Sequence, residues 1–397
     1  MREEFFCDVL PGYRTGTGYL MPEPDREVIP QAVLSPLTRS AIFLVVTVDP
    51  GGEPAARDLL SGLDDLVKSV GFRVSEASLS CVAGIGSHAW DRLFSGPRPA
   101  GLHPFRELTG SSHHAPSTPG DLLFHIRAQR MDLCFGLASM IMDRLRESVT
   151  VRDEVHGFKF FDARDLLGFV DGTANPVGPK ARDAVLTGPE DPDFAGGSYV
   201  IVQKYVHLQP AWDALPVEAQ ENVIGRTKLE DVELDDAVKP ADSHVARSTI
   251  VDPDGTEREI LRDNMPFGEV GRFEFGTYFI GYARTPSVIE RMLDRMFLGD
   301  EQANHDRLLD FVTALTGCLF FVPSADFLDD LPGPPAAAAT AGAGAAMRTT
   351  ATAYPTEPAV LAGAAGAADA AAGAGAAPDT ASRPEGSLGI GDLKGTS

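Results

Sequence analysis

From Ala41 to Val48 the chain is almost wholly apolar, the pattern of a strand buried on both faces, and from Pro54 to Val70 the pattern changes period. There Ala55, Leu59, Leu60, Leu63, Leu66 and Val67 recur at helical spacing. Leu79 to Ile85 and Asp121 to Ala128 read as further strands, Met131 to Leu145 as a helix, and Val149 to Phe161 as a closing strand. A second series follows. Ser198 to Val206 is a predicted strand, Trp212 to Ile224 a helix and Arg272 to Tyr282 a strand; Val288 to Phe297 and Leu308 to Leu315 are predicted helical, and Cys318 to Val322 ends the series as a strand. Each series approximates β-α-β-β-α-β, an antiparallel sheet covered by helices on one face. The expected fold class is α+β, a duplicated ferredoxin-like fold whose two sheets meet and leave a crevice beside the second half. The predicted halves are residues 1–155 and 156–331.

The periodicity stops at Pro332. From Gly333 to Pro384 the chain is mostly Ala, Gly, Thr and Pro, a composition that buries too little surface to offset its ordering entropy. Residues 332–386 read as a disordered linker. The segment 387–397 differs, because Leu388, Ile390 and Leu393 restore apolar spacing within Ser387-Leu-Gly-Ile-Gly-Asp-Leu-Lys-Gly395.

Charge narrows the function classes. Asp and Glu number 57 against 34 Lys and Arg, for a net charge of −23, so clustered cations for phosphate are lacking and no nucleic-acid partner is expected. No window holds the ~18 consecutive apolar residues of a membrane span, and the acidic start Met1-Arg-Glu-Glu-Phe-Phe-Cys-Asp8 fits no export signal. Cys7, Cys81, Cys134 and Cys318 are scattered and form no CxxC pair, which suits free buried thiols in a reducing cytoplasm.

Chemistry concentrates between residues 167 and 268. Leu-Gly-Phe-Val-Asp-Gly-Thr-Ala-Asn-Pro occupies Leu167 to Pro176, His244 stands in Ala-Asp-Ser-His-Val-Ala-Arg247, and Arg262-Asp-Asn264-Met-Pro-Phe-Gly268 follows. Two glycines bracketing one acid suggest a loop whose backbone approaches something flat while a carboxylate points at it. An acid, an arginine and an amide facing a metal across from a histidine are the parts needed to split a peroxide. Singly, each has a structural use: Asp171 caps a turn, Arg262 pairs with Asp263, Asn264 opens the turn before Met265-Pro266. His113 and His114 read as exposed loop histidines, and His88, His103, His125, His156, His207 and His305 have no partner at metal-ligand spacing.

Taken in order, Gly168-x-x-Asp171-Gly172, His244 and Arg262-x-Asn264 resemble the dye-decolourising peroxidases, a family of haem enzymes, in their compact bacterial branch. The resemblance runs from about Pro30 to about Leu328. It implies the same duplicated ferredoxin-like fold, of the dimeric α/β-barrel superfamily type, and haem b with His244 as axial iron ligand, 18 residues before Arg262. Asp171, Arg262 and Asn264 become the catalytic residues of the open face. Asp171 carries the proton, Arg262 stabilises developing charge, and Asn264 holds a bridging water or orients the peroxide. Gly172 lies against the cofactor. A carboxylate on the other nitrogen of the ligand imidazole makes it more electron-donating, and both Glu257 and Asp306 suit that position. Arg247 and Arg262 are candidates, on charge alone, to pair with the haem propionates.

The implied activity is reduction of hydrogen peroxide and oxidation of an organic electron donor, a dye or a phenol, through a ferryl intermediate, by a homo-oligomer. A rival reading is a haem or porphyrin carrier for iron release or transport, with little turnover; another is a non-catalytic scaffold. The end segment resembles the cargo-loading peptides that direct such peroxidases into encapsulin nanocompartments. Leu388, Ile390 and Leu393 would anchor it in an apolar groove of the shell protein. The expected location is the cytoplasm, inside that compartment.

Overall fold

The computed structural model of the chain describes residues 28–336. Within them ten strands form one antiparallel sheet: β1 (Ser40–Val48), β2 (Ser80–Gly86), β3 (Leu122–Ala128), β4 (Val149–Phe158), β5 (Ser198–His207), β6 (Leu261–Arg262), β7 (Met265–Glu269), β8 (Glu274–Ala283), β9 (Val312–Ala314) and β10 (Cys318–Val322). The order is β6-β8-β5-β10-β2-β3-β1-β4, with β7 also on β8 and β9 also on β5. β1 to β4 form the sheet of the first half, and β5 to β10 that of the second. The two are joined by β10 against β2, through Phe320 opposite Gly86 and Phe321 opposite Ile85.

Alternation along β1 shows why its residues are apolar throughout. Ile42, Leu44 and Val46 pack under the helices with Leu59, Leu63, Leu137 and Ile141. Ala41, Phe43 and Val45 turn to the other face, where they meet Val82, Leu123, Val200, Tyr278 and Phe320. That second face is also buried, because the sheet curls until β7 packs against β4 at the far end of the strand order. Both faces of the strand are thus apolar surroundings.

The helices cover the outer face. The helical stretch expected at Pro54–Val70 is two helices, α1 (Glu53–Ser61) and α2 (Leu63–Gly71), broken at Gly62, a weak helix former. α3 (Met131–Leu145) matches its expected limits. The stretch expected at Trp212–Ile224 is likewise divided, into Gln209–Asp213 and Val217–Ile224, with Pro216 at the break, where it lacks an N–H and restricts Leu215. α4 (His244–Ser248) is a single short turn, and α5 (Pro286–Phe297) buries Ile289, Met292, Leu293 and Phe297.

Two expectations need correction. Leu308–Leu315 is not a helix: a 3-10 turn at Arg307–Asp310 runs into β9, since Leu308, Leu309, Phe311 and Val312 fit either period and pairing with β5 decides. Nor does the crevice lie between two sheets. It opens in the second half, between the outer face of β5 and β8 and the helices that cover them. β4 carries the first half to Phe158. The linker from residue 337 and the segment 387–397 lie outside the described residues.

Candidate active site

Beyond β4 the chain turns tightly on itself. The amide of Asp165 donates to the Phe169 carbonyl (2.8 Å), the Phe169 amide to the Asp165 carboxylate (3.0 Å), and the Asp171 amide to the Ala163 carbonyl (2.9 Å). Gly168 and Gly172 adopt φ of 94° and 81°, the left-handed region that side chains disfavour, so this turn needs both glycines. It sets the Asp171 carboxylate on the wall of the crevice.

The neighbouring wall comes from β6 and β7. Arg262 is opposite Gly281 of β8, and the next two residues point to opposite sides. Asp263 is buried away from the crevice and paired with Arg127, so it does not neutralise Arg262. Asn264 returns to the crevice. Its Oδ1 accepts from the Ile280 amide (3.0 Å), which fixes the orientation of the amide, and its Nδ2 donates to Asp171 Oδ2 (3.0 Å) and Oδ1 (3.3 Å). Asn264 is therefore committed to holding Asp171. Asn175, at the end of the glycine loop, bonds the Arg262 backbone twice, accepting from its amide (2.9 Å) and donating to its carbonyl (2.7 Å). The Arg262 guanidinium has no hydrogen bond or ion pair among the described residues. Burial pushes its pKa down, and the nearby Asp171 charge opposes that shift.

Opposite lies His244, the first residue of α4, after Ser243. Its Nδ1 donates to Asp306 Oδ2 at 2.7 Å, and Asp306 is fully buried with its Oδ1 accepting from the Leu308 amide (2.9 Å). The ring lines the crevice, and its Nε2 has no hydrogen-bond partner among the described residues. Asp306 thus takes the position that the sequence left open between two acids. Glu257 does not: it is exposed on a short strand, Glu257–Arg258, and lines the crevice without bonding the ring. Arg247 is a further correction. It is wholly buried, with Nη1 and Nη2 on Asp300 (2.9 and 2.7 Å) and Nε on the Arg295 carbonyl, because α4 turns it toward α5. That pairing holds Asp300 well below the usual carboxylate range.

His244, Asp171, Gly172, Arg262 and Asn264 thus share one cavity of about 1610 Å³ of empty space, part of it open to solvent. Its inner wall is apolar, from Phe279, Ile289, Met292, Leu293, Leu309 and Val312. Sequence reading missed Asn175 and Asp165. Asp165 lines the same cavity, and burial, reinforced by the Asp171 charge, raises its pKa to about 7. Only Asn175 had a signal, its place within the glycine motif. Cys81, Cys134 and Cys318 are buried free thiols; Cys7 lies outside the described residues.

A family model described as Dyp-type peroxidase, N-terminal, matches residues 30–159, and one described as Dyp-type peroxidase, C-terminal, matches 162–327. The chain belongs to the Dyp-type peroxidases. Among relatives of this family, the dye-decolorizing peroxidase of Rhodococcus erythropolis is 62% identical over 307 residues, 77% of this chain and 90% of the relative. That of Mycobacterium tuberculosis is 62% identical over 311 residues, 78% and 93%. The cryo-EM structure of the encapsulated DyP-type peroxidase from Mycobacterium smegmatis superposes with a TM-score of 0.77 at 61% identity, covering 77% of this chain and 99% of that one. A DypB variant of Rhodococcus jostii in complex with heme gives 0.74 at 58%, covering 76% and 97%.

The residues present fit the group that a Dyp-type peroxidase of this kind holds. A neutral imidazole whose Nδ1–H is engaged offers only Nε2 to a metal, the arrangement of an oriented metal-ligating histidine. An apolar wall suits a flat hydrophobic ring, and a half-buried guanidinium on the opposite side, unpaired among the described residues, can take an anionic or polar partner.

Proposed function

We propose that this chain is a haem peroxidase in which His244 Nε2 would hold the haem iron and the group formed by Asp171, Arg262 and Asn264 would be the peroxide-binding face. The observation that carries this is the opposition across one cavity of a carboxylate-oriented histidine and a half-buried arginine, unpaired among the described residues, beside a carboxylate. When bound, haem b supplies the redox-active iron at which peroxide is cleaved and oxidising equivalents are stored.

The protein groups do the rest. Asp306 accepts the Nδ1 proton of His244 in a hydrogen bond and so makes Nε2 a stronger electron donor. Asp171 takes a proton on its carboxylate from incoming hydrogen peroxide and returns it to the departing oxygen as water forms. Asn264 holds that carboxylate in place through Nδ2, acting on the peroxide through Asp171. Arg262, positive throughout, stabilises the negative charge of the departing oxygen. Asn175 fixes the backbone from which Arg262 projects. The second substrate is an organic electron donor. Absorption spectra of the purified protein before and after peroxide test the reading. A histidine-ligated Soret band that responds to peroxide and recovers with donor supports it; a haem protein with no peroxide response supports the carrier instead.

We further propose that the enzyme is a homo-oligomer packaged as encapsulin cargo in the cytoplasm, with Leu388, Ile390 and Leu393 as anchors. The apolar spacing of the end segment and the encapsulated state of the M. smegmatis relative support this. Co-expression with an encapsulin shell protein, followed by size exclusion, tests it.

A further inference from the structure

Away from the cavity, three side chains from distant parts of the chain come together. His113 belongs to the turn of a small hairpin, Leu108–Thr109 with His114–Ala115, in the first half. His305 precedes the 3-10 turn of the second half by two residues, and Asp310 is the last residue of that turn. The Nε2 atoms of His113 and His305 each lie 3.1 Å from Asp310 Oδ1, and the two rings meet at 4.6 Å between centroids.

The arrangement is rigidly held. Gly110 of the hairpin sits so close to the Phe297 carbonyl, at the end of α5, that a Cβ there would lie 1.9 Å away. Asp306, next to His305, donates its amide to the Met296 carbonyl in the same turn of α5 (2.8 Å). Both arms of the cluster are thus pinned to one helix end. The ligating atoms lie within 4.8 Å of one another. A tetrahedral ion with bonds of 2.0–2.2 Å sets its ligand atoms about 3.3–3.6 Å apart, a few tenths of an ångström beyond the nitrogen–oxygen separations here. The His113, His305 and Asp310 side chains keep 18, 24 and 45% of their surface accessible, which leaves a path for an ion and room for water as a fourth ligand.

We propose that His113, His305 and Asp310 bind one divalent transition-metal ion of the Zn²⁺ class through Nε2, Nε2 and a carboxylate oxygen, with water completing the tetrahedron. Two imidazoles and one carboxylate suit Zn²⁺ and its first-row neighbours, whereas Ca²⁺ and Mg²⁺ take oxygen ligands. The Nδ1 of His305 is buried without a hydrogen-bond partner, so the ring lacks the outer support that makes a metal histidine permanent. The site therefore exchanges its ion, giving it up to EDTA and refilling from solution. When filled, it ties the hairpin of the first half to the segment bearing Asp306.

The test is isothermal titration of ZnCl₂ into the full-length, haem-loaded protein after dialysis against EDTA, so that His244 is already occupied. One saturable equivalent per chain is expected. His113→Ala, His305→Ala and Asp310→Asn should each weaken it at least tenfold, the lower bound for losing even an outer-shell partner. His114→Ala, exposed and bonded instead to Glu107, should leave it unchanged. Asp310→Asn decides should either histidine variant fail to fold, because Asp310 is the most exposed of the three. Absence of a saturable equivalent in the parent, or unchanged binding in Asp310→Asn, overturns the proposal.

Discussion

His244 offers a single nitrogen to the cavity because buried Asp306 holds the other, and the two residues therefore fail differently when changed. His244→Ala should abolish or greatly weaken haem retention, read as loss of the Soret band on purification. Asp306→Asn should keep haem but lower affinity or activity by roughly 10- to 100-fold, as outer partners of metal ligands do. Arg262→Leu should slow the reaction with peroxide by at least about 100-fold, the scale of losing one preorganised charge donor; Asp171→Asn should cost as much or less. Stopped-flow traces rank them, and a collapse confined to the Asp171 variant would reverse the assignment. Asp165 makes a different prediction. Its pKa is raised from 3.8 to about 7, so the folded state keeps a proton that the unfolded chain releases. The associated stability is complete below the ordinary aspartate value and is lost as pH rises toward 7, by up to a few kcal/mol. Denaturation midpoints on either side of that window should converge in Asp165→Asn.

Elements place these residues, and single backbone positions place the elements. The helix Val217–Ile224 ends at Gly225 with φ of 92°, where an added Cβ would lie 2.9 Å from Ser243 Oγ and 3.1 Å from Val245 Cβ, on either side of His244. Gly225→Ala should cost more than the ~1–2 kcal/mol of left-handed strain alone and should loosen haem as well. Gly255→Ala, at φ of 85° with nothing within 4 Å, carries strain only and should leave haem untouched. Urea denaturation and Soret absorbance separate the two effects. Met131–Leu145 was legible at its limits because its apolar spacing is helical, and Cys318–Val322 because a short apolar run between Gly317 and Pro323 is too short for a helix. Leu308–Leu315 was not, because its apolar residues suit helix and strand equally and a distant partner, β5, decides. The motif bearing Asp171, His244, Arg262 and Asn264 was legible as chemistry. Asp165 and the Asp310 cluster were not, since burial and long-range proximity create them. Arg247 misled because its charge was visible and its burial was not.

At the scale of the whole molecule, catalysis and address should separate. Deleting Ser387–Ser397 should leave haem content and peroxide turnover intact while capsid loading fails. Replacing Leu388, Ile390 and Leu393 with Ser should do the same, each change removing at most about 1.5 to 3 kcal/mol of burial. Truncated enzyme still eluting with intact shells would show that the peptide is not the address. β10 is the last strand of the sheet in the chain and lies in its middle, between β5 and β2, where two residue pairs close the seam. During synthesis, both halves must therefore wait with open strand edges until Cys318–Val322 emerges. Unpaired edges recruit foreign strands. A ribosome stalled before Cys318 would release a chain with two adhesive borders, so aggregation should fall sharply once nascent chains extend past Val322.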